Sequence, residues 1–476
     1  MQTYCTKKNS RKSNKRKFRR GTKKYQEHLH KMRANAAKIK ARNARHQRKH
    51  PQQKSRYGFF LLIAQYMRHL QVREKLEQYV KKRKPANSVF SAADMLIGLT
   101  SLIILGLPRF YHAKKYRQEQ LLAKAISIKR MFSGTTAYRF FNDFGTLTLC
   151  RELQKVNALI KREDWENAAQ IIVDGDPTTI RSYENQKEGS CKGFNKLRPG
   201  QNCLQGLAYF ANGDYVTAEV VGGNEVPLES LTLVTHLKNV RRLCGRIDWI
   251  RLDAGHSSAL NLQNLDNFSN HGNSQKKVNY IVCVSGNCIG FTNAMETIGC
   301  RMWHRVKNGV YVQDVGKIQI FQEYTNRHRM ILVKRYSTMT QKWAYYPLVT
   351  SDNKQDCITL YRFYHKRQTI ESFFDEAKHS YNLEHLPCEK LYSNSVYFNL
   401  IGMAFNIMAL FRRACLRRQD HHIELMTLQW RYLSMAIWWD GTTLTIERSD
   451  PDYLILIQIL RRLKKYNIAL EYTFDG

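Results

Sequence analysis

The sequence predicts an α/β protein, with a core of mixed strands and helices preceded by a helical region and a basic arm. Three observations predict it. Helical spacing of apolar residues dominates up to about residue 165 and then gives way to short β-branched runs. Two of those runs, 171–173 and 247–252, each lead into an aspartate followed by a turn. Helical periodicity then returns at 227–243 and at 361–381.

Composition bounds the partners. A chain of 476 residues can hold two to four domains and bury a sizeable core. A net charge of +38 and a pI near 9.9 point to a polyanion, with nucleic acid ahead of an anionic membrane. The apolar run 95–107 is short, and 397–411 is interrupted by Asn399 and Asn406, so neither reaches the ~20 residues of a bilayer span. No apolar signal region opens the chain. The expectation is a soluble intracellular protein without a membrane partner, cytoplasmic and associated with the nucleoid. Eleven cysteines without a CxxC suit reduced thiols. Cys283, Cys288, Cys300 and His304 have a spacing compatible with zinc, although Cys283 lies in a strand-like run where cysteine serves as a small apolar residue.

The basic arm, 1–57, carries 21 Lys and Arg against the single acid Glu27. At that density it reads as a disordered or loosely helical segment that binds phosphates without sequence preference. Residues 58–164 read as helical: 59–82, then 88–105 stopped by Gly106 and Pro108, then 118–131, then a helix opened by Ser133-Gly134-Thr135-Thr136. A short turn followed by a helix with small hydroxyl residues resembles a helix-turn-helix, which would place Thr135, Thr136 and Arg139 near DNA; any small helical bundle gives the same pattern.

From 165 to 265 the strands carry the chemistry. The runs 203–210 and 215–221 flank Asn212-Gly213, a hairpin signal. The first β-branched run ends in Asp174-Gly175-Asp176-Pro177-Thr178, and the run 247–252 ends in Asp253-Ala254-Gly255-His256. Carboxylates at the ends of neighbouring strands can converge. A third acid on a helix would complete an oxygen-ligand site for Mg²⁺. The stretch 361–381 supplies one. At about 100° per residue, Tyr364, Arg367, Glu371 and Lys378 form one narrow stripe, beside an apolar stripe of Ile370, Phe373, Phe374 and Ala377. A surface helix with i,i+4 ion pairs has the same look. Three carboxylates from separate segments, Asp176, Asp253 and Glu371, suit phosphoryl transfer with two metal ions ~4 Å apart.

Tyr364-x2-Arg367-x3-Glu371-x6-Lys378 resembles the Y-R-E-K signature of the DDE transposases of bacterial insertion sequences, in the insertion sequence 4 superfamily. Asp174-Gly-Asp176-Pro-Thr178, the Gly-rich stretch from Gln186 to Asn195, and Arg251-x-Asp253-Ala-Gly255 resemble motifs of the branch named after insertion sequence 1380. The likeness covers roughly residues 165–415 and fades into 445–466.

The resemblance implies a ribonuclease-H-like core, with Asp176 on the first strand, Asp253 on the fourth and Glu371 on a later helix. It implies a β-rich insertion between the second aspartate and the glutamate, and the intervening 117 residues are strand-like at 280–285, 309–315, 317–322, 329–336 and 343–350. The corresponding domains are 165–265 and 356–420 for the two parts of the core, 266–355 for the insertion, 58–164 for an end-binding helical region, and 421–476 for a helical C-terminal region suited to dimerisation. It implies two Mg²⁺ ions, replaceable by Mn²⁺, held by Asp176, Asp253 and Glu371, with Asp174 and Asp375 as alternative carboxylates. Tyr364, Arg367, Lys378, Arg251, His256 and Thr178 are the expected DNA contacts; His256 stands where the family usually has an aromatic. Trp303 or Trp343 could receive a flipped base or simply pack. The implied activity is cut-and-paste transposition on double-stranded DNA by a homodimer in a synaptic complex, with cleavage through hairpins. The alternatives are a DNA-binding relative without activity and a nuclease that cuts without joining.

Overall fold

The computed structural model describes His30 and residues 53–475, save 56, 82–83, 86–87, 107–108, 183–186, 194, 196–197, 225–229, 271–276, 301, 434–436, 440–442, 448–452 and 469. The basic arm thus lies almost entirely outside the described residues. Its last part contributes a short strand, β1 (Gln53–Ser55).

Six helices follow: α1 (Phe60–His69), α2 (Val72–Tyr79), α3 (Ala92–Ile104), α4 (Gln120–Ala125), α5 (Gly134–Phe144) and α6 (Leu147–Glu166). Their starts are written in the sequence. Ser91 and Asp94 form a reciprocal capping box on α3, Ser133 caps α5 and Thr146 caps α6. In α5, Thr135 and Arg139 are exposed and Thr136 is half-buried.

The main sheet begins with β2 (Ile172–Arg181), β3 (Cys191–Lys192), β4 (Asn202–Ala211) and β5 (Asp214–Gly222). Asn212 and Gly213 both take positive φ, 54° and 84°, which joins β4 to β5 in the tight hairpin the Asn-Gly step predicts. Helix α7 (Ser230–Cys244) leads to β6 (Trp249–Leu252), and α8 (Ala259–Asn270) to β7 (Asn279–Cys283). β4 lies antiparallel between β5 and β2, while β2, β6 and β7 run parallel. In chain order these five strands stand 3-2-1-4-5 across the sheet, the ribonuclease-H-like core that the resemblance implies.

The stretch 266–355 is continuous with this core. It supplies β7 itself, then α9 (Ile289–Glu296), β8 (His304–Lys307), β9 (Val310–Phe321), β10 (Tyr324–Ser337) and β11 (Lys342–Thr350). β11 pairs with β7 and carries the sheet on through β10 and β9 to β8, ten strands in all. Asp266 on α8 fastens the extension, accepting hydrogen bonds from Tyr280 Oη (2.6 Å), Tyr324 Oη (2.6 Å) and His328 Nε2 (2.7 Å). The runs 309–315 and 317–322, which read as two strands, form one strand with an irregularity beside Gly316, whose φ is +83°.

Helices α10 (Cys357–His365), α11 (Thr369–His379) and α12 (Leu391–Cys415) return to the core. α12 has the length and hydropathy of a membrane span, yet is mostly buried inside the protein. Its face meets β5 through polar side chains: Ser395 Oγ accepts from Val220 N (2.9 Å), Asn399 Nδ2 donates to Ala218 O (3.0 Å), and Asn406 accepts from Tyr215 N (3.0 Å) and donates to Tyr215 O (2.8 Å). The N-terminal helices, α11 and α12 share one apolar core, so region 58–164 is packed onto the helices that follow the main sheet. A second core fills the other face of the sheet, under α7 and α8.

The C-terminal region, expected to be helical, is mixed. After α13 (Leu425–Leu428) come β12 (Ile437–Trp439), β13 (Thr443–Glu447), α14 (Tyr453–Leu463) and β14 (Glu471–Asp475). Its strands form a separate sheet with β1, in the order β1-β12-β13-β14. Trp438-Trp439 and Thr443–Glu447 are β-prone residues whose runs were too short to stand out by periodicity.

Candidate active site on β2 and at the end of β6

Strand register brings the first two carboxylates together. β2 pairs in parallel with β6, Asp174 opposite Arg251 and Gly175 opposite Leu252. The next residue on each strand is an aspartate, Asp176 and Asp253. The first strand does not end in a turn at Asp174, as its composition suggests. β2 continues to Arg181 because β4 pairs with it throughout, Asp176 facing Ala208. Gly175 is required between the two aspartates, since a Cβ there would come within 2.5 Å of the Tyr209 ring.

The stretch 361–381 is two helices rather than one. A 3-10 turn, Lys366–Gln368, separates α10 from α11 and carries Arg367. The apolar stripe is buried as predicted, with Ile370, Phe373, Phe374 and Ala377 at most 5% exposed. The polar stripe faces the aspartates. Arg367 places Nη1 3.3 Å from Asp176 Oδ1 and Nη2 3.9 Å from Glu371 Oε1, so a guanidinium stands between the two acids. The Glu371 side chain is 59% exposed, against 12% for Asp176.

Environment separates the two aspartates. The Asp176 carboxyl is pushed up to about 7, first by burial and further by the neighbouring carboxylates of Asp253 and Glu371, against the pull of Arg367. Asp253 is half-buried, and although desolvation raises it, the hydrogen bond and charge of His256, the charge of Arg367 and a hydrogen bond from Asp176 hold it below the ordinary range. His256 Nδ1 lies 2.8 Å from Asp253 Oδ1, and its buried Nε2 has no hydrogen-bond partner among the described residues.

Asp174 has a different setting. Arg251 grips it with Nε and Nη2, each at 2.6 Å, and sends Nη1 to the Phe363 carbonyl at 2.7 Å. Arg251 is 4% exposed. Expected to meet DNA, it instead ties β2, β6 and α10 together from inside. His256, at 1% exposure, likewise packs within the protein. Tyr364 and Thr178 are nearly buried at the same site, and burial drives the Tyr364 phenol far up. Lys378 is half-buried, and desolvation lowers its ammonium despite Glu384 and Asp375 nearby. Asp375 is exposed on α11.

The remaining expected sites are dispersed. Cys283 lies on β7 and Cys288 precedes α9. Among the described residues no group of three or more His, Cys, Asp or Glu side chains is gathered closely enough to hold a metal. Trp343 is 41% exposed, with Lys334 Nζ 4.5 Å from its ring centre and 5.6 Å from that of Trp303. One feature was invisible in sequence: Glu376, on the buried side of α11, accepts from Arg412 Nη2 at 2.6 Å and from Leu425 N at 2.8 Å, which docks the helix. Only an acid at an inward helical position hinted at it.

A sheet of ribonuclease-H-like order thus carries Asp176 within β2 beside Asp253 just past the end of β6, with Glu371 approaching on a helix through Arg367. The chain belongs to the transposase DDE domain group 1 family, whose model matches residues 40–464. It is similar in part to a solved piggyBac transposase synaptic complex with hairpin DNA, at 11% identity and a TM-score of 0.38, covering 80% of this chain and 82% of that one. It is also similar to the Mos1 transposase paired-end complex with the left transposon end, at 12% identity and a TM-score of 0.16, covering 40% of this chain and 59% of that one. Among curated proteins, none matches.

Proposed function

We propose that this family member is a cut-and-paste DNA transposase of the Y-R-E-K kind, close to the insertion sequence 1380 branch. It would bind the inverted repeats at its element's ends, cleave them through a hairpin and join the 3′-hydroxyls to target DNA. The observation that carries this is the side-by-side placement of Asp176 and Asp253 with Arg367 reaching from Asp176 to Glu371.

The donor types suit hard divalent cations, and the three acids would have to draw together, since as they stand they are not gathered around one point. Two adjacent carboxylates, Asp176 buried and Asp253 half-buried, have one guanidinium between them and the third acid, and oxygen-only donors suit Mg²⁺ or Mn²⁺. Asp176, Asp253 and Glu371 would hold two such ions, Glu371 being the exposed acid free to turn inward. Bound there, the ions would supply the positive charge that activates a water or 3′-hydroxyl and steadies the leaving oxygen. Arg367 then has a phosphate oxygen to turn to, presenting a planar fork, with Lys378 as a point charge at the rim. His256 fixes the Asp253 carboxylate, and Arg251 fixes the strands beneath. The basic arm and helices 58–164 would grip the element ends, and a homodimer would synapse them.

A labelled element end incubated with Mg²⁺ and a target plasmid should yield joined product. Binding without cleavage would sink this reading, and cleavage without joining would make the protein a nuclease. Glu371→Gln should abolish cleavage and leave end binding intact; retained cleavage would remove Glu371 from the site.

A further inference from the structure

Helices α6 and α7 enclose a cleft of about 910 Å³ over the outer strand β5. Strand register places it away from the carboxylates. Ala218 on β5 faces Ala208, which faces Asp176, so Thr217 and Glu219 point to the opposite side of the sheet. Two strand spacings, roughly 10 Å, also separate β5 from β2.

The walls carry two rows of like charge. Arg151 and Lys155 stand at i,i+4 on α6, and Lys238 and Arg242 at i,i+4 on α7, with Lys81 at the rim. All five are exposed, and none makes an ion pair among the described residues. Like charges at this spacing repel on a helix, so such rows destabilise the empty protein and favour an anion. The two carboxylates of the lining are engaged: Glu152 accepts from Lys81 N at 3.1 Å, and Glu219 from His236 Nε2 at 3.2 Å. Across the lining, Asn239 Nδ2 on α7 donates to Gln154 Oε1 on α6 at 3.0 Å. Thr217, 1% exposed and lining the cleft, has a hydroxyl with no hydrogen-bond partner among the described residues.

We propose that this cleft is a second docking groove for duplex DNA, gripping backbone phosphates on the side of the sheet opposite Asp176. Two facing rows of cations suit a linear polyanion better than a compact phosphate, and a chain of net charge +38 is built to meet one. The proposal rests on the transposase reading only for the identity of the ligand. It implies that a stretch of duplex distinct from the scissile segment is held while the carboxylates work.

The test is fluorescence anisotropy of a short random-sequence duplex over a salt series, using the full chain. The triple variant Arg151→Gln, Lys155→Gln, Lys238→Gln should bind more weakly and lose about 2 to 3 from the slope of log K against log salt, since each phosphate contact contributes about 0.9. The control triple Arg461→Gln, Lys464→Gln, Lys465→Gln removes equal charge from the end of α14 and the 3-10 turn that follows it, and should change the slope by less than about 1. An unchanged slope in the groove triple, or an equal fall in both triples, would overturn the groove. If the groove triple fails to fold, Lys155→Gln alone should lower the slope by about 0.9. Absence of salt-dependent binding by the unmodified chain would overturn the DNA reading as a whole, a different result from failure of the groove.

Discussion

Asp174 and Asp176 sit two residues apart on β2 and point the same way, yet the protein treats them oppositely. Asp174 is fully buried with a cation dedicated to it, held at two points by Arg251. Asp176 is nearly as buried, but its neighbour is another carboxylate, and the cation it shares with Glu371 stands 3.3 Å off on a turn. A buried acid with its own rigid counter-charge is a fastener. A buried acid beside a second acid, with a guanidinium only loosely engaged, is where the proposed function would seat a divalent cation.

That contrast can be broken outright. Asp176→Asn should reduce strand cleavage by roughly 10⁴-fold, the scale of losing a catalytic group, with no loss of melting temperature. Asp174→Asn should instead cost about 3–5 kcal/mol in urea unfolding, because Arg251 is left charged and unpaired in the interior. If Asp174→Asn abolishes cleavage at full stability, the two roles are reversed.

Proton linkage gives a subtler measure. With Asp176 raised to about 7, the native state binds more protons than the unfolded chain between the ordinary carboxylate range and neutrality. Without divalent metal, the stability that Asp176 contributes is complete at low pH and is lost as pH rises from about 4 through about 7. Asp253 acts with the opposite sign, its contribution disappearing as pH falls through its depressed value. Thermal melts in EDTA should show the Asp176 slope, and Asp176→Asn should remove it. Adding Mg²⁺ above neutral pH should raise the melting temperature of the unmodified chain but not of Asp176→Asn. The smallest effect is expected from His256→Asn, which removes the brace on Asp253: the Mg²⁺ concentration for half-maximal cleavage should rise about 10- to 100-fold, while the maximum rate changes little.

Much of this was legible because the chemistry is local in sequence. The carboxylate motifs, the Asn-Gly hairpin and the two stripes of 361–381 are short-range patterns that periodicity exposes. What stayed hidden depends on pairing. Nothing local says that β2 runs on past Asp174, since β4 sustains it from about thirty residues away. Arg251 read as a cation beside DNA because its partners, Asp174 and the Phe363 carbonyl, are distant in sequence. The break at Lys366–Gln368 escaped an angular count that assumes one continuous helix. The join of strands 266–355 to the core sheet, β11 against β7, is a long-range register that no local pattern shows.

The asparagines of α12 that interrupt an otherwise apolar helix settle one more matter. The open edge of β5 would be a row of bare amides, a template on which another chain could add a strand. Ser395, Asn399 and Asn406 occupy those groups with side-chain partners of their own, so a helix stands in for the missing neighbour. Sealing the edge from within removes that template, so copies of a chain of net charge +38, if drawn together on a polyanion, meet without a free β5 edge to extend.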